Sequence, residues 1–293
     1  MPELPEIEHL VRLANTYTRD SAIEGIEIGA ISAIKTADPP IDSVIGATIS
    51  EWTRRGKYLI AEINPNALFI VIHLSRGGWM RWNQSRTTPA EGKVTFLRGG
   101  KSNVAVRLQF TDGDLVFTEA GTQKRFALWL VKDPNEIHHV GALGPDPLSE
   151  EFTVSRLSKI LQSTNSHLKT VLADQSLIAG VGNAYSDEAL WLAKLSPYAK
   201  SSSLTETEVA ALHDAIVNVL REAIDRAGEL NEKELKSDKK SNLQVHNRKD
   251  ELCPRCGDTI REVSLSSKSF QYCPTCQTKG KILADRRMSK LLK

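Results

Sequence analysis

All four cysteines of this 293-residue chain fall in one short stretch, as Cys253-Pro254-Arg255-Cys256 and Cys273-Pro274-Thr275-Cys276, with sixteen residues between the pairs. Two Cys-x-x-Cys hooks separated by about 15 to 20 residues have the spacing of a four-thiolate zinc site, in which a β-hairpin between the hooks brings four sulfurs into a tetrahedron. A redox dithiol usually carries one such pair, and a chain of this length buries enough core to fold without disulfide staples. The expectation is one structural zinc held by Cys253, Cys256, Cys273 and Cys276. Residues 259–265 and 268–272 read as the hairpin strands around a Ser266-Ser267 turn, which puts Lys268 near the tip. Such a ribbon is a binding module, but it does not say for what.

The length suits two domains, and the charged and apolar fractions are those of an ordinary soluble protein. A net charge of +2 is too weak to imply a polyanionic partner, so the distribution of charge matters more than its sum. After Cys276 the tail carries Lys279, Lys281, Arg286, Arg287, Lys290 and Lys293 against Asp285. It can touch phosphates or simply be solvated, and the sequence weighs the two equally. The first twenty residues contain acids and no long apolar run, so neither a signal peptide nor a membrane span is expected. Free thiols that hold zinc suit the cytoplasm.

Hydrophobic periodicity divides the chain. Ile7, Leu10, Val11 and Ala14 lie at helical spacing over residues 4–17, with Pro5 suited to a first turn. From about 22 to 133 the pattern turns to short β runs, including 57–63 and 68–74 around Asn64-Pro65-Asn66, and 104–110 and 115–118 around Asp112-Gly113. A Gly/Pro-rich stretch at 141–148 suits a hinge. Helical periods follow at 153–162, 166–173, 183–194 and 205–227, the last opened by Thr205 and Glu208 at capping-box spacing. The charged stretch 229–240 reads as a mobile loop. The expected fold is α+β with two domains. Residues 1–135 form an N-terminal β-sandwich with a flanking helix, 136–148 a hinge, 149–247 a helical DNA-binding domain, 248–282 a zinc finger and 283–293 a basic tail.

Two further segments carry chemistry. Asp174-Gln175-Ser176-Leu177-Ile178-Ala179-Gly180-Val181-Gly182-Asn183 is a glycine-bearing turn feeding a helix, where unpaired N–H groups can grip a phosphate. The plainer reading is a helix corner in which glycine permits close packing. The chain begins Met1-Pro2-Glu3-Leu4-Pro5-Glu6, and prolines and acids before a helix are most often capping. Removal of Met1 would instead expose a secondary amine, which titrates near pH 8 and can attack an electrophilic carbon, with Glu3 alongside to shuttle protons.

Together these residues resemble the formamidopyrimidine-DNA glycosylase and endonuclease VIII family of base-excision repair enzymes. The resemblance spans nearly the whole chain. It rests on Pro2-Glu3-Leu4-Pro5-Glu6, Arg55-Gly56-Lys57-Tyr58-Leu59, His73-Leu74, Lys124-Arg125-Phe126, Gly144-Pro145-Asp146-Pro147-Leu148, the 174–185 turn with Asn183 and Tyr185, and the zinc ribbon, in the family's order. It implies a β-sandwich, a helix-two-turn-helix region making up the bundle, and a zinc-ribbon hairpin. It also implies a monomer that binds damaged double-stranded DNA and acts at the nucleoid, extruding the damaged nucleotide from the stack. On this resemblance Pro2 attacks the sugar C1′, Glu3 gives and takes protons, and Lys57 assists strand cleavage. The outcome is a bifunctional glycosylase and abasic-site lyase working by β,δ-elimination. His73, Arg76, Lys124, Arg125, Phe126 and Asn183 are its DNA-binding positions, and Glu6 is either a site residue or a first-turn acid.

The chain also departs from the family pattern. The zinc-hairpin arginine linked to δ-elimination is matched here by Lys268, a point charge without a planar fork. The methionine and arginine that fill the hole left by the flipped base are matched by Arg76 and Lys124, while Phe126 keeps the stacking wedge. Residues 229–240 lack the Gly/Thr-rich character of the usual lesion-reading loop. A catalytically weak lesion-binding relative is the alternative function, and a zinc-ribbon RNA-binding or ribosome-associated protein a more distant one.

Overall fold

The computed structural model describes residues 1–84, 92–97, 103–228, 230–231, 233–265 and 268–285, with the backbone alone at Leu265 and Lys268. The Ser266-Ser267 turn, Glu229 and the tail cations Arg286, Arg287, Lys290 and Lys293 lie outside the described residues. The chain divides into two compact units, 1–142 with 228–233, and 143–227 with 234–293.

The first unit opens with helix α1 (Leu4–Thr18), whose Leu4, Ile7, Leu10, Val11 and Ala14 are buried as their spacing requires. Strands β1 (Gly25–Ile28), β2 (Thr48–Arg55), β3 (Tyr58–Asn64), β4 (Leu68–His73), β5 (Gly78–Asn83), β6 (Val94–Phe96), β7 (Val104–Phe110), β8 (Gly113–Glu119) and β9 (Ala127–Val131) follow. They form two sheets, ordered β5-β8-β7-β1-β6 and β2-β3-β4-β9, antiparallel throughout except for the parallel β1–β6 pair. The buried Trp52 of β2 and Phe117 of β8 meet with ring centroids 6.4 Å apart, joining the two sheets in the core of a sandwich. Helix α1 is locked to β2 by reciprocal bonds. Asn15 Nδ2 donates to the Trp52 carbonyl at 2.7 Å, and the Trp52 N–H donates to Asn15 Oδ1 at 2.7 Å. A 3-10 turn at Pro134–Glu136 and the short helix α2 (His138–Gly141) end the unit.

The second unit contains α3 (Val154–Gln162), α4 (Leu168–Leu172), α5 (Asn183–Leu192), α6 (Glu206–Ala227), α7 (Glu234–Asn242), the hairpin β10 (Arg261–Leu265) and β11 (Lys268–Tyr272), and α8 (Pro274–Thr278). The capping box at α6 forms, with Thr205 N–H donating to Glu208 Oε2 at 2.9 Å and Glu208 N–H to Thr205 Oγ1 at 3.3 Å. The division between the two units falls between Ala142 and Leu143, within the stretch 136–148. Gly144 N–H donates to Gln175 O at 2.9 Å and Ala179 N–H to Pro145 O at 3.1 Å, so residues 143–148 are built into the second unit. A Cβ on Gly144 would lie 2.5 Å from the Leu177 backbone, which is why glycine stands there.

Residues 234–242 correct the loop expectation, because they form a helix. The charges of this segment are sorted by face, which a loop reading based on composition overlooks. Leu235 is buried, Asp238 lies 4.0 Å from Arg226 of α6, and Lys239 Nζ stands 4.6 Å from the centre of the Tyr185 ring. Among the described residues no helix is long and apolar enough to cross a membrane.

Candidate functional site

In the first unit, Glu3 stands at the N-cap of α1 in extended backbone, and Pro5 occupies the first turn, where its missing N–H costs nothing. The Glu3 N–H donates to Glu6 Oε2 at 2.8 Å, and the Glu3 carboxylate accepts from the Glu6 N–H, a reciprocal capping box. Glu6 therefore caps the first turn, and the backbone it holds is that of Glu3. Pro2, Glu3 and Glu6 are all buried. Met1 precedes Pro2, so the proline nitrogen here is an amide. Loss of Met1 converts it to a secondary amine at a buried position directly before the N-cap of α1.

Lys57 sits in the β2–β3 hairpin, where Arg55 pairs with Tyr58 across a two-residue turn. Gly56 has φ +56°, the positive value that such a turn demands of its first residue. Lys57 is only 5 % exposed. Beside it on the sheet, Tyr58 pairs with His73 at the end of β4, and their rings meet at 4.8 Å. Burial, then the charges of Lys57 and His139, lowers the His73 pKa to about 4. At neutral pH His73 is thus an uncharged imidazole with one donor and one acceptor nitrogen. Arg55 Nη1 donates to Asn135 Oδ1 at 3.2 Å, bringing the segment before α2 against the same hairpin.

Two loops converge at the β5–β8 edge, where Gly78 pairs with Glu119. Arg76 is exposed on a turn whose neighbours leave no room for side chains. A Cβ on Gly77 would lie 2.2 Å from Ala120 O, and one on Gly78 would lie 1.8 Å from Leu74 O. The facing loop is held by Glu119, whose Oε1 accepts from Arg125 N–H at 2.6 Å and from Phe126 N–H at 2.9 Å. Lys124 Nζ donates to the Glu119 carbonyl at 2.6 Å, while Lys124 and Arg125 are exposed. Phe126, expected as the stacking wedge, is 2 % exposed here, with its ring 5.9 Å from that of Phe117. An aromatic next to a basic pair looks like a displayed wedge in sequence. Here Ala127 starts a core strand, and the residue before it already points inward.

In the second unit the four cysteine sulfurs lie within 4.8 Å of one another, with Cys256–Cys273 at 3.4 Å and Cys253–Cys276 at 3.9 Å. A tetrahedral zinc with Zn–S bonds of about 2.3 Å sets sulfurs roughly 3.8 Å apart, so the residues fit one structural zinc, and the spacing excludes disulfides. Trp191 Nε1 donates to Cys253 Sγ at 3.4 Å. Burial opposes ionisation of Cys253, but the hydrogen bonds from Trp191 and from the Arg255 and Cys256 backbone bring its thiol down to about 7. Arg255 stacks on the other side of the connection, 4.0 Å from the Trp191 ring centre. The zinc centre is thus docked on the end of α5.

At the opposite end of α5, Gly182 is the N-cap and Gln175 braces the incoming turn. Gln175 Oε1 accepts from Gly180 N–H at 3.0 Å, and Gln175 Nε2 donates to Val181 O at 2.6 Å. Asn183 Nδ2 donates to Ser269 O of β11 at 2.7 Å, while its Oδ1 is buried without a hydrogen-bond partner among the described residues. Lys268 opens β11 opposite Leu265.

The sequence reading missed the buried polar network behind this corner. Lys169 Nζ donates to Asn183 O at 2.6 Å, to Ser186 Oγ at 2.8 Å and to Asp187 Oδ1, while Asp187 Oδ2 lies 2.6 Å from His246 Nδ1. Glu188 accepts from the N–H groups of Gln244, Val245 and His246 at 2.8, 3.0 and 2.9 Å. Burial raises the Glu188 pKa against the pull of those three bonds. The one signal in sequence was two adjacent acids on the helix surface that the apolar pattern assigns to the core.

Comparison with known proteins places these features in context. Residues 1–125 match the model of the formamidopyrimidine-DNA glycosylase N-terminal domain, 143–234 that of the formamidopyrimidine-DNA glycosylase H2TH domain, and 250–279 a zinc finger found in FPG and IleRS. A formamidopyrimidine-DNA glycosylase of Thermosynechococcus vestitus is 34% identical over 289 residues, spanning 94% of this chain and 97% of that protein. An uncharacterized formamidopyrimidine-DNA glycosylase-like protein of Mycobacterium tuberculosis is 51% identical over 152 residues, 52% of this chain and 95% of its own length. Among solved structures, the Lactococcus lactis formamidopyrimidine-DNA glycosylase bound non-covalently to DNA containing an AP site superposes with a TM-score of 0.80 at 29% identity, covering 94% of this chain and 99% of that one. A mutant of the Lactococcus lactis protein in complex with Fapy-dG-containing DNA gives 0.81 at 28% identity, covering 94% and 100%.

Proposed function

The chain belongs to the formamidopyrimidine-DNA glycosylase family, and from this premise we propose how its own residues carry the reaction. It is a base-excision repair glycosylase that acts on oxidised bases in duplex DNA, with one structural zinc in its ribbon. The weak lesion-binding alternative is not favoured, since similarity to glycosylases runs from Pro2 through the last cysteine pair.

Removal of Met1 frees the Pro2 nitrogen. Its lone pair forms a bond to C1′ of the extruded nucleotide, the glycosidic bond breaks, and the base leaves with the electron pair of the broken bond and the proton released from the Pro2 nitrogen. Glu3 protonates the sugar ring oxygen as the ring opens, giving a C1′ iminium. The same carboxylate, now basic, takes the C2′ proton, and the 3′ phosphate leaves by β-elimination. Loss of the C4′ proton then expels the 5′ phosphate in a second elimination, and hydrolysis of the iminium returns the amine. Strand cleavage makes the enzyme a bifunctional lyase. The single observation that carries this reading is the Glu3–Glu6 capping box, which holds Glu3 beside the residue that becomes the amino terminus.

The DNA contacts divide by chemistry. Lys57 meets a phosphate as a charge and His73, held neutral, as a hydrogen-bond donor. Arg76, Lys124 and Arg125 line the paired loops that face the space left by the flipped nucleotide, Asn183 holds a phosphate at the helix corner, and Lys268 supplies the hairpin cation. The protein works as a monomer on chromosomal DNA in the cytoplasm.

The test is a panel of duplexes, each with one oxidised base, incubated with Met1-free protein and assayed for released base and for strand scission. Base release with scission is expected on at least one lesion. Binding of abasic duplex without base release from any lesion contradicts the reading.

A further inference from the structure

Helix α7 occupies the segment where a flexible lesion-reading loop was expected, and its surface is sorted. Leu235 is buried, and Asp238 and Lys239 turn toward α6 and α5, while Lys236 and Lys240 are exposed one turn apart. The helix is fastened at three points within its own unit. Asp238 lies 4.0 Å from Arg226, Lys239 Nζ lies 4.6 Å from the Tyr185 ring centre, and Arg248 Nη2 donates to Ser241 O at 2.9 Å. The second of these ties α7 to the first turn of α5, two residues from Asn183.

We propose that the Lys236–Lys240 face of α7 is a phosphate-binding strip that extends the helix-corner grip on duplex DNA, so that this segment clamps the backbone where a loop would read the base. The proposal rests on the reading of the chain as a DNA glycosylase. The occupant is chosen by charge complementarity. Two ammonium groups about 6 Å apart along a helix face a polymer with one negative charge per about 1.7 Å of axis, so they meet separate phosphates. The exposed acid of this helix, Glu234, lies in its first turn, about 160° from Lys236 and about 120° from Lys240 around the helix at about 100° per residue. Backbone contacts of this kind carry no sequence information but fix register on the duplex.

The experiment is a salt titration of the affinity of the full-length, Met1-free protein for a duplex carrying a stable abasic-site analogue, followed by fluorescence anisotropy. Each phosphate contact contributes about 0.9 to the slope of log affinity against log salt, so Lys236→Gln with Lys240→Gln should reduce the slope by roughly 1.8. The loss of affinity relative to wild type should then be about tenfold larger at 50 mM than at 200 mM salt. Lys236→Arg with Lys240→Arg keeps the charges and should retain the wild-type slope. An unchanged slope in the glutamine variant, or an equal loss of affinity at every salt concentration, overturns the proposal. Borohydride trapping of the wild-type protein on an abasic duplex reads the underlying glycosylase assignment separately.

Discussion

Asn183 Nδ2 donates to the carbonyl oxygen of Ser269 at 2.7 Å, so the first residue of α5 and the second strand of the zinc hairpin are joined directly. The other end of α5 is joined to the metal centre, where Trp191 Nε1 donates to Cys253 Sγ at 3.4 Å. The zinc therefore sets the geometry of the helix corner from both ends, while Pro2 and Glu3, the proposed nucleophile and acid, belong to the other unit.

Loss of zinc should separate these functions. Cys276→Ser should lower bound zinc from one per chain to near zero, change the fluorescence of Trp191 and weaken binding to abasic duplex by about tenfold or more, because structural zinc supplies on the order of 10 kcal/mol of local folding free energy. Zinc analysis and anisotropy check this. Retained zinc or unchanged affinity contradicts the role given to the ribbon.

His73 should remain neutral well below the usual range. In a histidine NMR titration its ring signals should move with a midpoint near 4, and Lys57→Gln should raise that midpoint, because one of the charges holding it down is gone. The folded pKa lies below the unfolded value of 6.5, so between the two the unfolded chain holds more protons. Stability from this site is therefore lost as pH falls from 6.5 toward 4, and His73→Gln should flatten that part of the stability curve. A midpoint near 6.5 contradicts the environment described for it.

Glu188→Ala should be among the most destabilising single changes in the second unit. It leaves the N–H groups of Gln244, Val245 and His246 without their carboxylate, at a cost of about 3 kcal/mol once relaxation and water are allowed for. Denaturant unfolding checks this, and a loss below about 0.5 kcal/mol contradicts it.

Glu119→Ala removes the acceptor for two amides in the Lys124–Phe126 loop and should cost about 2 kcal/mol. DNA affinity should fall as well, although Glu119 itself would repel phosphate. A gain in affinity on removing this negative charge would show that the loop needs no such brace.

What was legible in the sequence followed from local periodicity and short spacing. The cysteine hooks, the capping pairs at α1 and α6, the β3–β4 hairpin around Asn64-Pro65-Asn66 and the apolar faces of α1 and α6 each depend on residues a few positions apart. Helix α7 was hidden because its nine residues hold one buried leucine, and its support comes from Tyr185 and Arg226, distant in sequence. The burial of Phe126 was not legible because its direction depends on the strand it leads into. The Lys169–Asp187–His246 chain and the Glu188 clamp join residues 18 to 59 positions apart, beyond the reach of any periodic pattern.

A covalent bond between Pro2 and C1′ can be captured by reductive trapping. Met1-free protein incubated with abasic duplex and borohydride should yield a stable protein–DNA adduct whose peptide map places the sugar on Pro2, with the adduct lost in Pro2→Gly and its formation strongly slowed in Glu3→Gln. An adduct mapped to another residue, or none from correctly processed wild-type protein that binds the duplex, would contradict the account.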